Sequence, residues 1–252
     1  MANTFVWYDL MTTDPKAAQA FYGDVVGWTF RDAGTPGTDY MVIQAGEAGV
    51  GGMMTLPHEL QSSGVPPHWI GYVGVADVDE AAERLKAAGG RVHKEPTDIP
   101  GVGRFAVVAD PHGAAFILFW GNTTPPAKVP EGTPGHASWR ELFCNDLDEA
   151  FGFYSGLFGW TKGDSVPTPM GPYQLFEADG ERHGGMMKRP EMMPVPHWGF
   201  YWQVGDIDEA AARVTAGGGK VLMGPMEVPG GGWIVQAQDP QGGFFSIIGA
   251  KG

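Results

Sequence analysis

Two histidines occupy matching places in this chain. Pro67-His68-Trp69 recurs 129 positions later as Pro196-His197-Trp198. An imidazole titrates near neutral pH and can act as a general acid or base. Two carboxylates recur in the same way, in Trp7-Tyr8-Asp9-Leu10 and Trp139-Arg140-Glu141-Leu142. The plainer reading is that a histidine just after proline, at the start of a strand, bonds the backbone and does no chemistry. His58, His93, His112, His136 and His183 lie in turns or have no counterpart, and they read as surface residues. Cys144 is the only cysteine, so no intrachain disulfide can form, and it reads as a buried structural thiol rather than a nucleophile. Gly101-Val102-Gly103 and Gly230-Gly231-Gly232 follow no strand-to-helix step. They read as hairpin turns, not phosphate loops.

The elements that must position these groups are legible around His68. Residues 69–76 are apolar and aromatic, as in a buried strand. Asp77 then offers a helix cap, with Glu80 three residues on. Val78, Ala81, Ala82 and Leu85 form one helical face, and Gly89-Gly90 closes it. Ahead of this lie strand 5–10 and a helix opened by Asp14-Pro15, with Ala18, Phe21, Tyr22 and Val25 buried and Gly27 at its end. Short strands follow at 28–30, 40–44 and 51–54, and His58 to Pro67 reads as a loop. After the second helix come strands at 91–94, 105–109 and 115–120, the last two joined by Asp110-Pro111-His112-Gly113. The order strand, helix, three strands is thus present twice.

The second half repeats the first. Phe21-Tyr22-Gly23 becomes Phe153-Tyr154-Ser155, and Gly27-Trp28-Thr29 becomes Gly159-Trp160-Thr161. Gly51-Gly52-Met53-Met54 becomes Gly184-Gly185-Met186-Met187, and Asp110-Pro111-His112-Gly113 becomes Asp239-Pro240-Gln241-Gly242. The expected domains are 1–121 and 136–252, joined by a proline-rich linker over 122–135, with each domain folding from its own two modules.

Twenty-nine acidic against sixteen basic residues give a net charge of −13 with no basic stripe, which argues against nucleic acid or an anionic membrane as partner. No apolar run is long enough to span a bilayer and no signal peptide is visible, so a cytoplasmic location is expected. The expected partner is a small molecule, with the protein a monomer or homodimer.

Four βαβββ modules in an α+β chain resemble the vicinal oxygen chelate superfamily of glyoxalase I, bleomycin-resistance proteins and extradiol dioxygenases. The motifs carrying this are Asp14…Phe21-Tyr22…Gly27-Trp28, Asp77-Val78-Asp79-Glu80-Ala81-Ala82 and Asp110-Pro111-His112-Gly113, each with its second copy. The resemblance implies two glyoxalase-like domains, each an open β-barrel made of two modules. It also implies metal positions, which fall here on Trp7, Ile70, Trp139, Gly199, Ile117 and Ser246. Met53-Met54 and Met186-Met187 are what the first modules' last strands offer. None is His, Glu or Gln, so no metal and no cofactor is expected.

If Trp7 and Ile70 face the family's cavity, strand alternation adds Asp9, His68 and Tyr72. Met53 or Met54 completes the first cavity. The second would hold Trp139, Glu141, His197, Tyr201 and Met186 or Met187. Asp9/His68 and Glu141/His197 are the candidate acid–base pairs. A register slip of one residue would bring in Trp69 and Trp198 instead. Such cavities suit a planar or apolar molecule gripped by a few polar groups. The expected function is metal-free binding of a small aromatic or apolar molecule, by sequestration, sensing or metal-independent chemistry. The alternative is a lyase, isomerase or hydroxylase/dioxygenase-like enzyme on a small carbonyl or aromatic metabolite.

Overall fold

A computed structural model describes residues 3–34, 39–122, 129–191, 193–229 and 231–252. The first module runs β1 (Phe5–Thr12), α1 (Pro15–Val26), β2 (Thr29–Asp32), β3 (Met41–Ala45) and β4 (Ala48–Thr55). A short helix, α2 (His58–Ser62), occupies part of the stretch expected to be loop. The second module is β5 (His68–Gly74), α3 (Val78–Ala87), β6 (Arg91–Ile99), β7 (Gly103–Ala109) and β8 (Ala115–Gly121). The third is β9 (Ala137–Cys144), α4 (Leu147–Phe158), β10 (Thr161–Thr168), β11 (Gly171–Ala178) and β12 (Glu181–Lys188). The fourth is β13 (His197–Asp206), α5 (Ile207–Ala216), β14 (Lys220–Glu227), β15 (Trp233–Gln238) and β16 (Phe244–Ala250).

Aspartates start the four long helices. Asp14, Asp77, Asp146 and Asp206 each accept a hydrogen bond from the backbone N–H three residues on, which satisfies one of the open donors of the first turn. Gly27 and Gly159 end α1 and α4 in the left-handed conformation, at φ 85° and 75°.

The strands form two open eight-stranded sheets. Their orders are β2-β3-β4-β1-β5-β8-β7-β6 and β10-β11-β12-β9-β13-β16-β15-β14. Each sheet therefore takes its strands from one half of the chain, and both have free outer strands rather than a closed barrel. Residues 123–128 of the expected linker lie outside the described residues.

Contacts also gather the chain into two compact bodies, each drawn from both halves. One draws on Trp7–Trp69 and Phe200–Gly252, the first and fourth modules. The other draws on Ile70–Pro125 and Trp139–Gly199, the second and third. In the first body, Tyr22 of α1 donates its hydroxyl to Asp239 Oδ2 at 2.9 Å and accepts the Trp69 indole N–H at 3.1 Å. Trp28, Trp69 and Trp202 meet around it, with ring centroids 4.8–5.7 Å apart. The second body repeats the device. Tyr154 donates to Asp110 Oδ2 at 3.1 Å and accepts from Trp198 at 3.0 Å. Asp110 and Asp239 also accept N–H groups of their own turns, at 2.8–3.0 Å. The Phe-Tyr, Gly-Trp and Asp-Pro motifs thus build cores.

Candidate functional site

Alternation along β1 sends Trp7 and Asp9 to one face and Leu10, fully buried, to the other. Parallel β4 sets Gly52 beside Asp9, and antiparallel β3 sets Val42 beside Gly52. Tyr40, just ahead of β3, lies across Gly52 and reaches the carboxylate. Its hydroxyl donates to Asp9 Oδ1 at 2.8 Å. The Trp7 indole N–H donates to both Tyr40 Oη at 2.8 Å and Asp9 Oδ1 at 3.0 Å. Gly52 makes the arrangement possible, because a Cβ there would sit 2.0 Å from the Tyr40 hydroxyl and 2.5 Å from Asp9 Oδ1.

The second half builds the same cluster. Glu141 of β9 pairs with Gly185 of β12, and a Cβ on Gly185 would sit 2.3 Å from the Tyr173 ring. The Trp139 indole donates to Tyr173 Oη at 2.7 Å, and the Tyr173 hydroxyl bonds Glu141. Asp9 is 1 % exposed and Glu141 6 %. Burial, then the adjacent carboxylate charge, pushes both tyrosine hydroxyls up, so they stay protonated as donors. Each cluster is a carboxylate held by donors inside an aromatic surface. Each carboxylate accepts a hydrogen bond from the tyrosine of its own module.

Trp7, Asp9, Trp139 and Glu141 therefore belong to built clusters, which Tyr40 and Tyr173 complete. Sequence reasoning missed these tyrosines, although each stands near the start of the matching strand of its module, at an offset of 133. Register puts Met54 opposite Met11, two places along from Asp9, and Met187 opposite Phe143, two places along from Glu141. Met53 and Met186 pair with the buried Leu10 and Leu142 on the opposite face and are core residues. Trp69 and Trp198 are core residues too. A buried indole N–H needs a partner, and Tyr22 and Tyr154 supply it, so the slipped register is not the one adopted.

The imidazoles engage the backbone. His68 Nδ1 lies 2.8 Å from the Pro66 carbonyl oxygen and His197 Nδ1 lies 3.1 Å from that of Val195. Burial lowers the pKa of both, partly offset by those carbonyls. The His197 ring also packs on Phe143, with centroids 5.1 Å apart. Tyr72 packs edge-on to Phe119 at 5.7 Å, and Tyr201 Oη accepts from Gln236 Nε2 at 2.9 Å. His183, expected at the surface, lies on β12, where burial and then the Arg140 charge lower its pKa. His112, also expected at the surface, has its side chain 15 % exposed and Nε2 2.9 Å from a Glu149 carboxylate oxygen. Cys144 is buried, which pushes its thiol up to about 12 and leaves it inert as a nucleophile.

The family's metal positions do not fit a metal. Trp7 and Trp139 spend their indole donors on tyrosine, Ile70 and Ile117 are buried hydrocarbon, Gly199 has no side chain, and Ser246 offers one hydroxyl. Among the described residues no group of three or more His, Cys, Asp or Glu could hold an ion.

Two copies of the model for the Glyoxalase/Bleomycin resistance protein/Dioxygenase superfamily match the chain, at residues 4–118 and 133–246. The chain belongs to this superfamily. It is 35% identical over 246 residues to the "Putative glyoxylase CFP32" of Mycobacterium bovis, covering 96% of this chain and 93% of that one. It is 30% identical over 258 residues to the "Anthracycline biosynthesis protein DauV" of Streptomyces sp. strain C5, covering 96% and 91%. Among solved structures, a Mn(II)-bound glyoxalase from Novosphingobium aromaticivorans superposes with TM-score 0.64 at 18% identity, covering 98% of this chain and 82% of that one. The 2,2',3-trihydroxybiphenyl 1,2-dioxygenase of Sphingomonas wittichii gives 0.67 at 14%, covering 100% and 91%. These two likenesses are of fold. No described helix is long and apolar enough to cross a membrane.

Proposed function

We propose that this protein binds a planar, aromatic small molecule bearing hydroxyl or carbonyl groups, without a metal, as bleomycin-resistance-type members of the superfamily sequester their ligands. The observation that carries this reading is the repeated cluster in which tryptophan and tyrosine hold a buried carboxylate over a glycine. Aromatic surface supplies the stacking area, and the carboxylate supplies a single directional acceptor. The relative named for anthracycline biosynthesis suggests the ligand class, a fused-ring polyketide. The protein would act in the cytoplasm as a monomer or homodimer.

The test is a thermal-shift and tryptophan-quenching titration with doxorubicin, hydroxyanthraquinones and 2-oxoaldehydes. Ligand at a hundred times its Kd adds about 2.7 kcal/mol, or about 5–10 °C in Tm for a chain of this size. Asp9→Asn and Glu141→Gln should each weaken binding about five- to tenfold, a hydrogen bond's contribution. Stoichiometric zinc, manganese or iron retained by purified protein, and lost in those variants, would overturn the metal-free reading. The second reading is a lyase, isomerase or oxygenase-like enzyme on the same ligands, favoured by the name of the mycobacterial relative. Turnover of any of these compounds, abolished in Asp9→Asn or His68→Ala, would establish it.

A further inference from the structure

In the fourth module, Tyr201, Ser246 and Gln236 stand side by side on β13, β16 and β15, since Tyr201 pairs with Ser246 and Gln236 pairs with Ser246. Residues directly opposite in a sheet share a face. Phe245 and Ile247, the neighbours of Ser246 along β16, face the other way and are buried; Phe245 packs there on Tyr22. The three polar side chains are themselves buried, at 3 %, 0 % and 8 % exposure. Gln236 Nε2 donates to Tyr201 Oη at 2.9 Å, so the two outer residues of the row bond across the middle strand. The Ser246 hydroxyl on the strand between them is buried and has no hydrogen-bond partner among the described residues. A buried hydroxyl left unpaired is costly and rare, and it calls for an explanation.

The matching row of the second module holds Tyr72, Ile117 and Val107 on β5, β8 and β7. Ile117 stands where Ser246 does and Val107 where Gln236 does, so hydrocarbon fills what is polar in the fourth module. The amide and the hydroxyl are therefore particular to one copy of the repeat, and the fold does not require them.

We propose that Tyr201, Ser246 and Gln236 form a polar subsite, found only in the fourth module, that receives a hydroxyl or carbonyl of the ligand. The ligand group replaces the Gln236–Tyr201 bond and gives Ser246 the partner it lacks. The row of the second module keeps a tyrosine, Tyr72, but has Ile117 and Val107 in place of the hydroxyl and the amide, so the two halves of the repeat are not interchangeable. This inference rests on the small-molecule reading above and specifies where its polar recognition resides.

The test compares 1,5-dihydroxynaphthalene with naphthalene by tryptophan quenching. The wild-type protein should bind the diol more tightly than the hydrocarbon. Ser246→Ala and Gln236→Val should each lower affinity for the diol about five- to tenfold and leave naphthalene unchanged. Ser246→Ala should also melt no lower than wild type, because it removes a hydroxyl that bonds nothing among the described residues. Unchanged diol affinity in both variants would overturn the subsite while leaving the small-molecule reading standing. Failure of the wild type to bind either probe would overturn both.

Discussion

At the scale of single residues, two glycines set what the clusters can be. Gly52→Ala puts a methyl 2.0 Å from the Tyr40 hydroxyl, and Gly185→Ala puts one 2.3 Å from the Tyr173 ring. Each ring must leave its carboxylate. We expect each variant to lose about 1–3 kcal/mol of stability, an overpacking penalty, and to lose ligand binding with it. Denaturant melts and quenching titrations measure the two effects. The histidines carry a pH dependence. Burial lowers the pKa of His68, His183 and His197 from an ordinary 6.5, so the folded state favours their neutral forms. A depressed folded value means the contribution is complete above 6.5 and is lost as pH falls from there toward the lowered values. Melting temperature should therefore fall on acidification below about pH 6.5, and the slope should flatten in a His68→Gln/His197→Gln double variant. An unchanged slope would show that these imidazoles are not the groups being titrated.

At the scale of elements, the Tyr–Asp pairs explain why the motifs stand where they do. Tyr22→Phe leaves Asp239 and the Trp69 indole each short of a partner in the core. The loss should be about 1–3 kcal/mol, and Tyr154→Phe should match it. Helix α4 offers the contrary case. Gly152 and Gly156 sit inside it, and a methyl added at either would have nothing within 4 Å. Alanine at either site should stabilise by about 0.5–1 kcal/mol, read as a rise in the denaturation midpoint. Much of this scale was legible in the sequence. Aspartate caps, closing glycines and the module order are local signals, and the structure keeps them. Tyr40 was not legible as a cluster member, because its partner Asp9 lies 31 residues away on a strand separated from β3 by β4. Which of Met53 and Met54 faces Asp9 was equally hidden, since adjacent strand residues look alike until register is fixed.

At the scale of the whole molecule, one compact body draws on both halves of the duplication. Tyr22 hydrogen-bonds a residue 217 positions away, and Phe21 packs edge-on to Phe245 at 5.7 Å. A fragment ending before residue 129 would strip α1 of those partners. Separately expressed halves, 1–128 and 129–252, should be poorly folded alone and should recover native circular dichroism when mixed. Independent, cooperative melting of each half would refute this.

The grouping of first module with fourth, and second with third, has the form of nested brackets. Synthesis completes the inner pair first, since both its members are made once residue 199 is added. The outer pair cannot close until residues near 252 appear. At about 5–20 residues per second, Trp69 waits roughly 10–40 s for the last of the segment that completes its body. During that interval Phe21 and Tyr22 of α1 lack Phe245, the ring both pack against in the finished protein. A released fragment ending at residue 199 should therefore show 7–69 cut by protease while 139–199 resists.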